Sequence, residues 1–217
     1  MDTSAVFADA QGKLERYYAP TNYVRLYDQA PPSADDTLTL YDILMSRMID
    51  SGIGPRETAD LYAIGPEVNV ALPGVPAGLL LWSDFGAELQ EAVKSLVNVC
   101  CGVSGIKIAR TTKVLHKKRP ALLPIVDSVV ELAYASTVLL DGSGLTYGAA
   151  AQVSPEAYGW RVVQIMRLIR QDLDDNWTQI GELCGWLEGT MEITVTPLRL
   201  LDVLIWSTYS LPVTGEP

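Results

Sequence analysis

The chain has 217 residues, 48% of them hydrophobic, and a formal net charge of −10 at pH 7. A chain of this size and composition can bury a substantial core without disulfide bonds. Its longest apolar runs, such as residues 78–82 and 203–206, are far shorter than the roughly 20 residues that cross a bilayer, so we expect no membrane segment. Residues 1–4 carry an acid and no cationic stretch before an apolar one, so they do not resemble a secretory signal. We therefore expect a cytoplasmic protein.

Cysteine and histidine usage argues against several kinds of site. Cys100 and Cys101 are adjacent, Cys184 is alone, and His116 is the single histidine. This set does not fit a regular disulfide framework or a zinc site of the Cys/His type. A Ser-His-Asp or Cys-His nucleophile would need His116, and the sequence has no nucleophile-elbow motif. We expect neither a metal ion nor another cofactor.

The hydrophobic pattern is helical along the chain and predicts an all-α fold. The first periodic stretch begins near Ser33, with Asp35 or Asp36 as its cap and Gly52 as its end. The pattern then predicts a helix over 55–64 and an irregular stretch over 67–76. A long helix follows, capped by Ser83 or Asp84 and ending at Cys100. After a break over 102–105, the pattern predicts a cationic helix that ends before Pro120 and a helix over about 127–139.

Beyond a Gly-rich loop over 141–144, the pattern predicts a helix capped by Ser154, a shorter helix over 177–187, and a last helix opened by Thr196 and Pro197. We predict an N-terminal arm over residues 1–32, a helical domain over 33–212 and a tail over 213–217. The domain is either undivided or built of two lobes, with residues 53–140 as the hairpin-containing lobe.

Aromatic residues fall into two groups. The five tryptophans lie in apolar helical patterns and are predicted to be in the core. Near the N-terminus, tyrosines are interleaved with Arg16 and Arg25. These tyrosines either line a groove that stacks on a base or form an arm packed over the helical core; they are Tyr17, Tyr18, Tyr23 and Tyr27.

Positive charge is concentrated in one segment. Residues 107–119 hold six of the 16 Lys and Arg residues and no acid. Such asymmetry can place a positive patch on an otherwise anion-repelling body. Alternatively, the segment is a solvated helix end whose cations interact with the C-terminal carbonyls of the helix.

Residues 105–107, 110–113 and 124–130 resemble the core of the helix-hairpin-helix DNA glycosylase superfamily, in which a Gly-apolar-Gly hairpin opens a helix and a Pro-Ile-hydrophobic-Asp run follows. The 22 positions from Gly105 to Asp127 match that arrangement. Over most of its length the chain also resembles an uncharacterised bacterial family of unknown function. The residues that carry this second resemblance are 113–115, 118–120, Pro124, Asp127, and 198–203 through Trp206.

The glycosylase resemblance implies a multi-helix bundle that acts on DNA or another nucleotide-containing ligand. Asp127 would be the catalytic carboxylate of a monofunctional N-glycosylase, acting on a base flipped out of the duplex. Asp42 is similar in setting to an acid that contacts the base in some superfamily members. The hairpin amides would bind phosphate, with Gly105 allowing close approach. The cations implied at the phosphate are Lys107, Arg110, Lys113, Lys117, Lys118 and Arg119.

The sequence departs from the superfamily pattern at specific positions. Lys107 replaces the second hairpin glycine. The Schiff-base lysine of bifunctional members falls on Ile108 or Ala109, so no lyase is expected. The last helix is followed by no cysteine cluster, so no iron–sulfur cluster is implied.

Alternatives follow for the residues and for the protein. Asp127 can be an N-cap of the helix that begins at Ser128, and Asp42 an ordinary solvent-facing acid. The protein can instead be a non-catalytic nucleic-acid or protein binding module on a degenerate glycosylase fold. It can also be an enzyme acting on a small nucleoside or nucleotide, for which the net charge of −10 is no handicap.

Overall fold

The structure is a computed structural model that describes residues 1–31, 33–34, 36–138 and 155–210. In these ranges the chain is mainly helical and has no β-strand, which confirms the all-α prediction. The helices are α1 (Thr3–Phe7), α2 (Ala10–Tyr17), α3 (Val24–Gln29), α4 (Leu40–Met45), α5 (Pro55–Ala63), α6 (Gly65–Ala71), α7 (Leu81–Asp84), α8 (Ala87–Cys101), α9 (Ile108–His116), α10 (Ser128–Val138), α11 (Pro155–Asp175), α12 (Trp177–Met191) and α13 (Pro197–Tyr209). Two 3₁₀ helices, Ser46–Ile49 and Leu72–Gly74, follow α4 and α6.

Helix α13 lies at the centre of the fold. Thr196 caps it by accepting a hydrogen bond from the backbone N–H of Arg199 at 3.1 Å, and Pro197 occupies its first turn. All eight residues from Leu198 to Ile205 are buried. A helix that is buried on every side must be covered by several partners, and α13 packs against α1, α2, α10, α11 and α12.

The long helices α8 and α11 form the most extensive helix pair. Gly159 of α11 lies so close to α8 that an added Cβ would collide with the backbone of Lys94. The same glycine donates its backbone N–H to Oδ1 of Asn98 at 2.8 Å. The absence of a side chain at Gly159 therefore sets the close approach of these two helices.

The N-terminal helices share the main core. Val6, Leu14 and Tyr18 are fully buried in the same hydrophobic cluster as the residues of α13. Helix α2 packs directly on α13. In the part of the chain that the structure describes, no helix has the length and apolar character needed to span a bilayer.

Several predicted element boundaries are wrong. The helix expected from Ser33 begins at Leu40, because Thr39 and Asp42 form a capping box; Asp36 does not cap it, and Asp35 lies outside the described residues. Residues 67–76 are largely helical rather than irregular. The long helix begins after Gly86, and the proposed caps Ser83 and Asp84 belong to the separate helix α7.

Other boundaries agree with the prediction or lie outside the described residues. Helices predicted over 55–64 and 177–187, and the opening of the last helix at Thr196, are found. The loop over 141–144, the Ser154 cap and the tail over 213–217 lie outside the described residues.

Candidate functional site

A cleft of about 1080 Å³ lies among α2 and α3, the first 3₁₀ helix, the starts of α9 and α10, α11 and α13. This volume is sufficient for a small organic ligand. The charged side chains of its wall are Arg47, Asp50, Lys107, Lys113, Asp127, Glu131, Arg161, Arg199 and Asp202. Its aromatic side chains are Tyr17, Tyr23, Tyr158 and Trp206.

Asp127 lies immediately before α10, and its two carboxylate oxygens have different surroundings. Oδ1 accepts hydrogen bonds from the backbone N–H groups of Val129 at 3.0 Å and Val130 at 3.2 Å. Oδ2 is 3.9 Å from Nζ of Lys113, beyond hydrogen-bond range. In the described ranges no buried side-chain oxygen lacks a hydrogen-bond partner, so Oδ2 reaches the solvent of the cleft. Asp127 therefore caps α10 with one oxygen and leaves the other available.

Cations lie near Asp127. Lys113 donates a hydrogen bond to the backbone carbonyl of Asp50 at 3.0 Å, which holds its Nζ beside the carboxylate. Lys107 and Arg47 are exposed at the cleft, and neither makes an ion pair with any residue that the structure describes. The cleft thus combines one fixed lysine with two cations that are free to contact an anion.

A buried charge network forms the floor of the cleft around Arg199. The guanidinium donates to both carboxylate oxygens of Asp28, at 2.9 Å and 3.2 Å, and to the hydroxyl of Tyr17 at 2.9 Å. It also donates through Nη1 to Oδ2 of Asp202 at 2.6 Å. Tyr18 donates its hydroxyl to Asp28 at 2.9 Å. Arg199 is therefore shared by two carboxyl groups from different parts of the chain.

Burial, with a smaller contribution from the charge of Asp127, raises the pKa of Asp202 to about 7 against the opposing effect of Arg199. Elsewhere on the wall, Glu131 and Arg161 form an ion pair at 2.7 Å. Burial also raises the pKa of Glu131, although Arg161 opposes it. The cleft therefore places carboxyl groups in unequal environments, which is the usual way in which a protein separates a proton donor from an anionic group.

Lys117, Lys118 and Arg119, which were predicted to bind phosphate, are buried. Lys117 donates to the backbone carbonyls of Tyr27 and Ala30, each at 2.6 Å. Arg119 is paired with Asp36 at 2.6 Å and also donates to backbone carbonyls of residues 72 and 75. The structure corrects these predictions: the three side chains hold neighbouring segments onto the end of α9 and are almost entirely shielded from solvent.

Asp42 does not line the cleft with Asp127, so its position does not agree with the prediction of a catalytic Asp42. Its carboxylate is fully buried and lies 2.7 Å from Nζ of Lys118. Oδ1 accepts from the Ser33 hydroxyl at 2.7 Å, and Oδ2 accepts from the backbone N–H and hydroxyl of Thr39 at 2.8 Å and 2.7 Å. Both carboxylate oxygens of Asp42 are thus hydrogen-bonded within the protein. The alternative of a solvent-facing acid is wrong as well.

The hairpin before α9 has a positive φ of 81° at Gly105, a left-handed backbone conformation that favours glycine. An added Cβ there would lie 3.6 Å from the carboxylate of Glu57. Arg110 pairs with that carboxylate at 3.4 Å and donates to the carbonyl of Gly105 at 2.8 Å. The pKa of Glu57 is lowered by a hydrogen bond from its own backbone N–H group and by the charge of Arg110. An anion of the protein itself therefore lies at the predicted phosphate-binding hairpin.

Three residues of the cleft were not predicted as site residues from the sequence: Arg199, Asp202 and Glu131. The signal for the first two was present: charged residues three positions apart interrupt an otherwise apolar run in the last helix. Unpaired charges are almost never fully buried, so such a pair predicts partners elsewhere in the chain. Trp206 was assigned to the core but is 41% exposed beside the cleft. Trp160 and Trp177 are also exposed.

His116 is buried and its Nδ1 is 2.6 Å from the carbonyl of Leu123. Burial, reinforced by Arg199, lowers the pKa of His116 to about 4, so the imidazole is neutral at pH 7. It stacks on Tyr27, which is also buried. Across the described residues no group of three or more His, Cys, Asp and Glu side chains is arranged to hold a metal ion.

Comparison with known proteins gives one informative result. Residues 10–209 match the model of a family described as "Family of unknown function (DUF6308)". Comparisons with curated proteins and with solved structures gave no match. Because the family model covers most of the sequence, the chain belongs to this family of unknown function.

Proposed function

We propose that the cleft binds a small nucleotide-like ligand and hydrolyses its N-glycosidic bond, with Asp127 as the essential carboxylate. The observation that carries this proposal is the difference between the surroundings of the two carboxylate oxygens of Asp127. Oδ1 is fixed by the amides of α10, and Oδ2 reaches the cleft beside Lys113. A rigidly held carboxylate with one accessible oxygen is suited to stabilising a developing cation.

Cleavage of an N-glycosidic bond develops positive charge on the sugar as the base departs. A carboxylate on the sugar face stabilises that oxocarbenium-like transition state more than the neutral ground state, and can accept a proton from the attacking water. The helix N-terminus behind Asp127 favours the negative charge before the reaction begins. The geometry therefore supplies electrostatic stabilisation without a side-chain nucleophile.

The rest of the wall fits a ligand with a base and a phosphate. Trp206 is 41% exposed and Tyr23 is 66% exposed, so both present aromatic surface on which a base can stack. Lys107 and Arg47 are exposed cations that can neutralise a phosphate. These features support a nucleotide better than a purely apolar ligand.

A small ligand is favoured over duplex DNA by the distribution of charge. Of the six cations in residues 107–119, three are buried and Arg110 is paired with Glu57. Glu57 also places an acid at the hairpin that would have to approach a DNA phosphate. Since DNA binding depends on many cation–phosphate contacts, this surface and a net charge of −10 fit a single phosphate better.

A DNA N-glycosylase is the second candidate, and one observation favours it. Lys107, Ile108 and Ala109 line the same cleft as Asp127, so the helix after the hairpin and the carboxylate do meet at one site. That juxtaposition is expected of the glycosylase arrangement. Since Ile108 and Ala109 carry no amine, this candidate too is monofunctional.

The direct test is base release, measured by chromatography after incubating the protein with nucleosides, nucleoside monophosphates and duplex DNA that carries modified bases. We expect release from a nucleoside monophosphate, with binding that changes little as salt is raised. Asp127→Asn keeps a side chain able to cap α10 and should lower the rate by about 100-fold or more. Asp174→Asn is the matched control, because Asp174 is exposed on α11 and does not line the cleft.

Three outcomes would contradict the proposal. Base release from DNA alone, with a steep loss of binding between low and moderate salt, would favour the second candidate. Unchanged activity in Asp127→Asn would remove the role of Asp127. Binding of nucleotides without release of base would indicate the non-catalytic binding module.

A further inference from the structure

We infer that Asp202 is a second catalytic residue of the cleft: its carboxyl group donates the proton that the departing base receives, while Asp127 faces the sugar. This inference rests on the proposed function. It assigns a residue that the glycosylase resemblance does not supply, and it is carried by the position and hydrogen bonding of Asp202.

Asp202 is held rigidly and is still accessible. It lies on the cleft wall together with Asp127, and only 5% of the residue is exposed. Oδ2 accepts the 2.6 Å hydrogen bond from Arg199, and Oδ1 has no hydrogen-bond partner among the described residues. Since no fully buried side-chain oxygen is left unsatisfied in the described ranges, Oδ1 retains some exposed surface, and Asp202 lines the cleft. A proton on Oδ1 can therefore be passed to a ligand.

Arg199 cannot fully neutralise Asp202, because its charge is already shared. Asp28 takes two of the guanidinium hydrogen bonds, through both of its oxygens, while Asp202 takes one. Two carboxyl groups and one guanidinium leave one negative charge in excess in a buried place. The charge of Asp127 is a further repulsive contribution. The favourable arrangement is a neutral, protonated Asp202.

Apart from Arg199, the titratable groups whose charge affects Asp202 are acids and buried tyrosines, and the cation Lys117 acts on Asp28. Tyr17 of α2, Tyr27 of α3 and Tyr134 of α10 are each influenced by its charge, and burial raises the pKa of all three, so they are neutral at pH 7. Lys117 lies near Asp28 and is bonded to backbone carbonyls. The pKa of Asp202 is accordingly raised to about 7, chiefly by burial. A donor is most effective when its pKa lies near the working pH.

The reaction balances with these two groups and water. The bond between the anomeric carbon and the base nitrogen breaks, and its electron pair leaves with the base. The proton of Asp202 moves to the base. The oxygen of a water molecule forms the new bond to the anomeric carbon, and a proton of that water passes to Asp127. Transfer of this proton from Asp127 to solvent, and from solvent to Asp202, restores the starting state.

The test is the pH dependence of base release from the nucleoside monophosphate. In the wild type, the rate should fall as pH rises above about 7, because Asp202 then loses its proton. Asp202→Asn preserves an acceptor for Arg199 and should lower the rate by about 100-fold and abolish this fall. Asp202→Glu retains the carboxyl group and should recover part of the rate and the fall above neutral pH. Asp174→Asn should behave as the wild type.

The outcomes separate this inference from the proposed function. A wild type that releases no base overturns both. If Asp127→Asn is inactive but Asp202→Asn keeps its rate and its pH profile, only the role of Asp202 is overturned. If Asp202→Asn and Asp202→Glu lose rate equally with an unchanged profile, Asp202 is structural only. Titration of the aspartate carboxyl carbons by NMR provides a readout without activity: a carboxyl that titrates near 7 should be missing from Asp202→Asn.

Discussion

Asp42 and Asp127 are two acids with the same local role and different accessibility. Each accepts a hydrogen bond from a backbone N–H group at the start of a helix, and each has a lysine of the cationic segment beside it, at 2.7 Å for Asp42 and 3.9 Å for Asp127. Both oxygens of Asp42 are bonded within the protein, whereas Oδ2 of Asp127 is left to the cleft. A carboxylate at the start of a helix can therefore still take part in chemistry, provided that its second oxygen is not bonded within the protein.

The largest effect should come from breaking the buried pair at Asp42. Asp42→Ala leaves Lys118 without its carboxylate and removes one of the two hydrogen bonds of the capping box of α4. We expect the free energy of unfolding to fall by about 3–5 kcal/mol, because an uncompensated buried charge is costly. Chemical denaturation measures this. Asp60→Asn, which removes an exposed pair with Arg56, is the control and should cost less than about 1 kcal/mol. Equal effects in the two variants would contradict a buried, structural Asp42.

Asp202 is a third acid that differs from both, because its environment in the folded protein disfavours the charged carboxylate. Its pKa rises from an ordinary 3.8 to about 7 in the folded protein. Between these values the native state binds more protons than the unfolded state, so this group lowers stability as pH rises from about 4 to about 7. Asp202→Asn removes that dependence. The stability of Asp202→Asn relative to the wild type should therefore increase as pH rises from about 4 to about 7, and should level off at higher pH.

Denaturation of both proteins across the same pH range measures this difference. His116 has the opposite dependence, because its pKa is lowered to about 4 and its contribution to stability is lost as pH falls below its ordinary 6.5. Since both proteins contain His116, its effect cancels in the difference. A difference that does not change with pH would show that Asp202 titrates as in the unfolded chain.

The smallest expected effect on stability is at Asp127, where two variants separate its role as a helix cap from its proposed role in catalysis. Asp127→Ala removes the hydrogen bonds to the amides of Val129 and Val130 and should lower the free energy of unfolding by about 1 kcal/mol. Asp127→Asn retains a capping oxygen and should remain close to the wild type in stability while losing activity. Thermal denaturation checks both variants. A large loss of stability in Asp127→Asn would mean that the pairing with Lys113 is structural.

The sequence contained enough to predict the all-α fold, many helix positions and three residues that line the cleft, Asp127, Lys107 and Lys113. Helix periodicity and caps such as Thr196 depend on neighbouring residues, so they are readable without tertiary structure. Asp127 could be singled out because it follows a Pro-Ile-Val run before a helix. Arg199 and Asp202 could not be placed beside it. Asp202 and Arg199 acquire their environment from Asp28, which is 171 positions from Arg199 in the chain.

The end of the cationic segment, residues 117–119, is not available to a phosphate for a related reason. A run of Lys and Arg predicts a surface patch only if no distant acceptor covers it. Lys117 finds carbonyls in α3 and its end, and Lys118 finds the capping acid of α4. Such acceptors are set by packing and leave no periodic signal in the sequence. Lys107 and Lys113, which precede these residues in the same segment, do line the cleft.

The link between Arg199 and Asp28 has a consequence for biosynthesis. Because 171 positions separate them, α2 and α3 are synthesised long before the guanidinium that joins Asp28, Tyr17 and Asp202. Until α13 has left the ribosome, Asp28 has no Arg199 and the floor of the cleft is missing. Contacts between residues so far apart are also among the slowest to form. A nascent chain that stops before α13 therefore cannot assemble this site, whatever helices it has already formed.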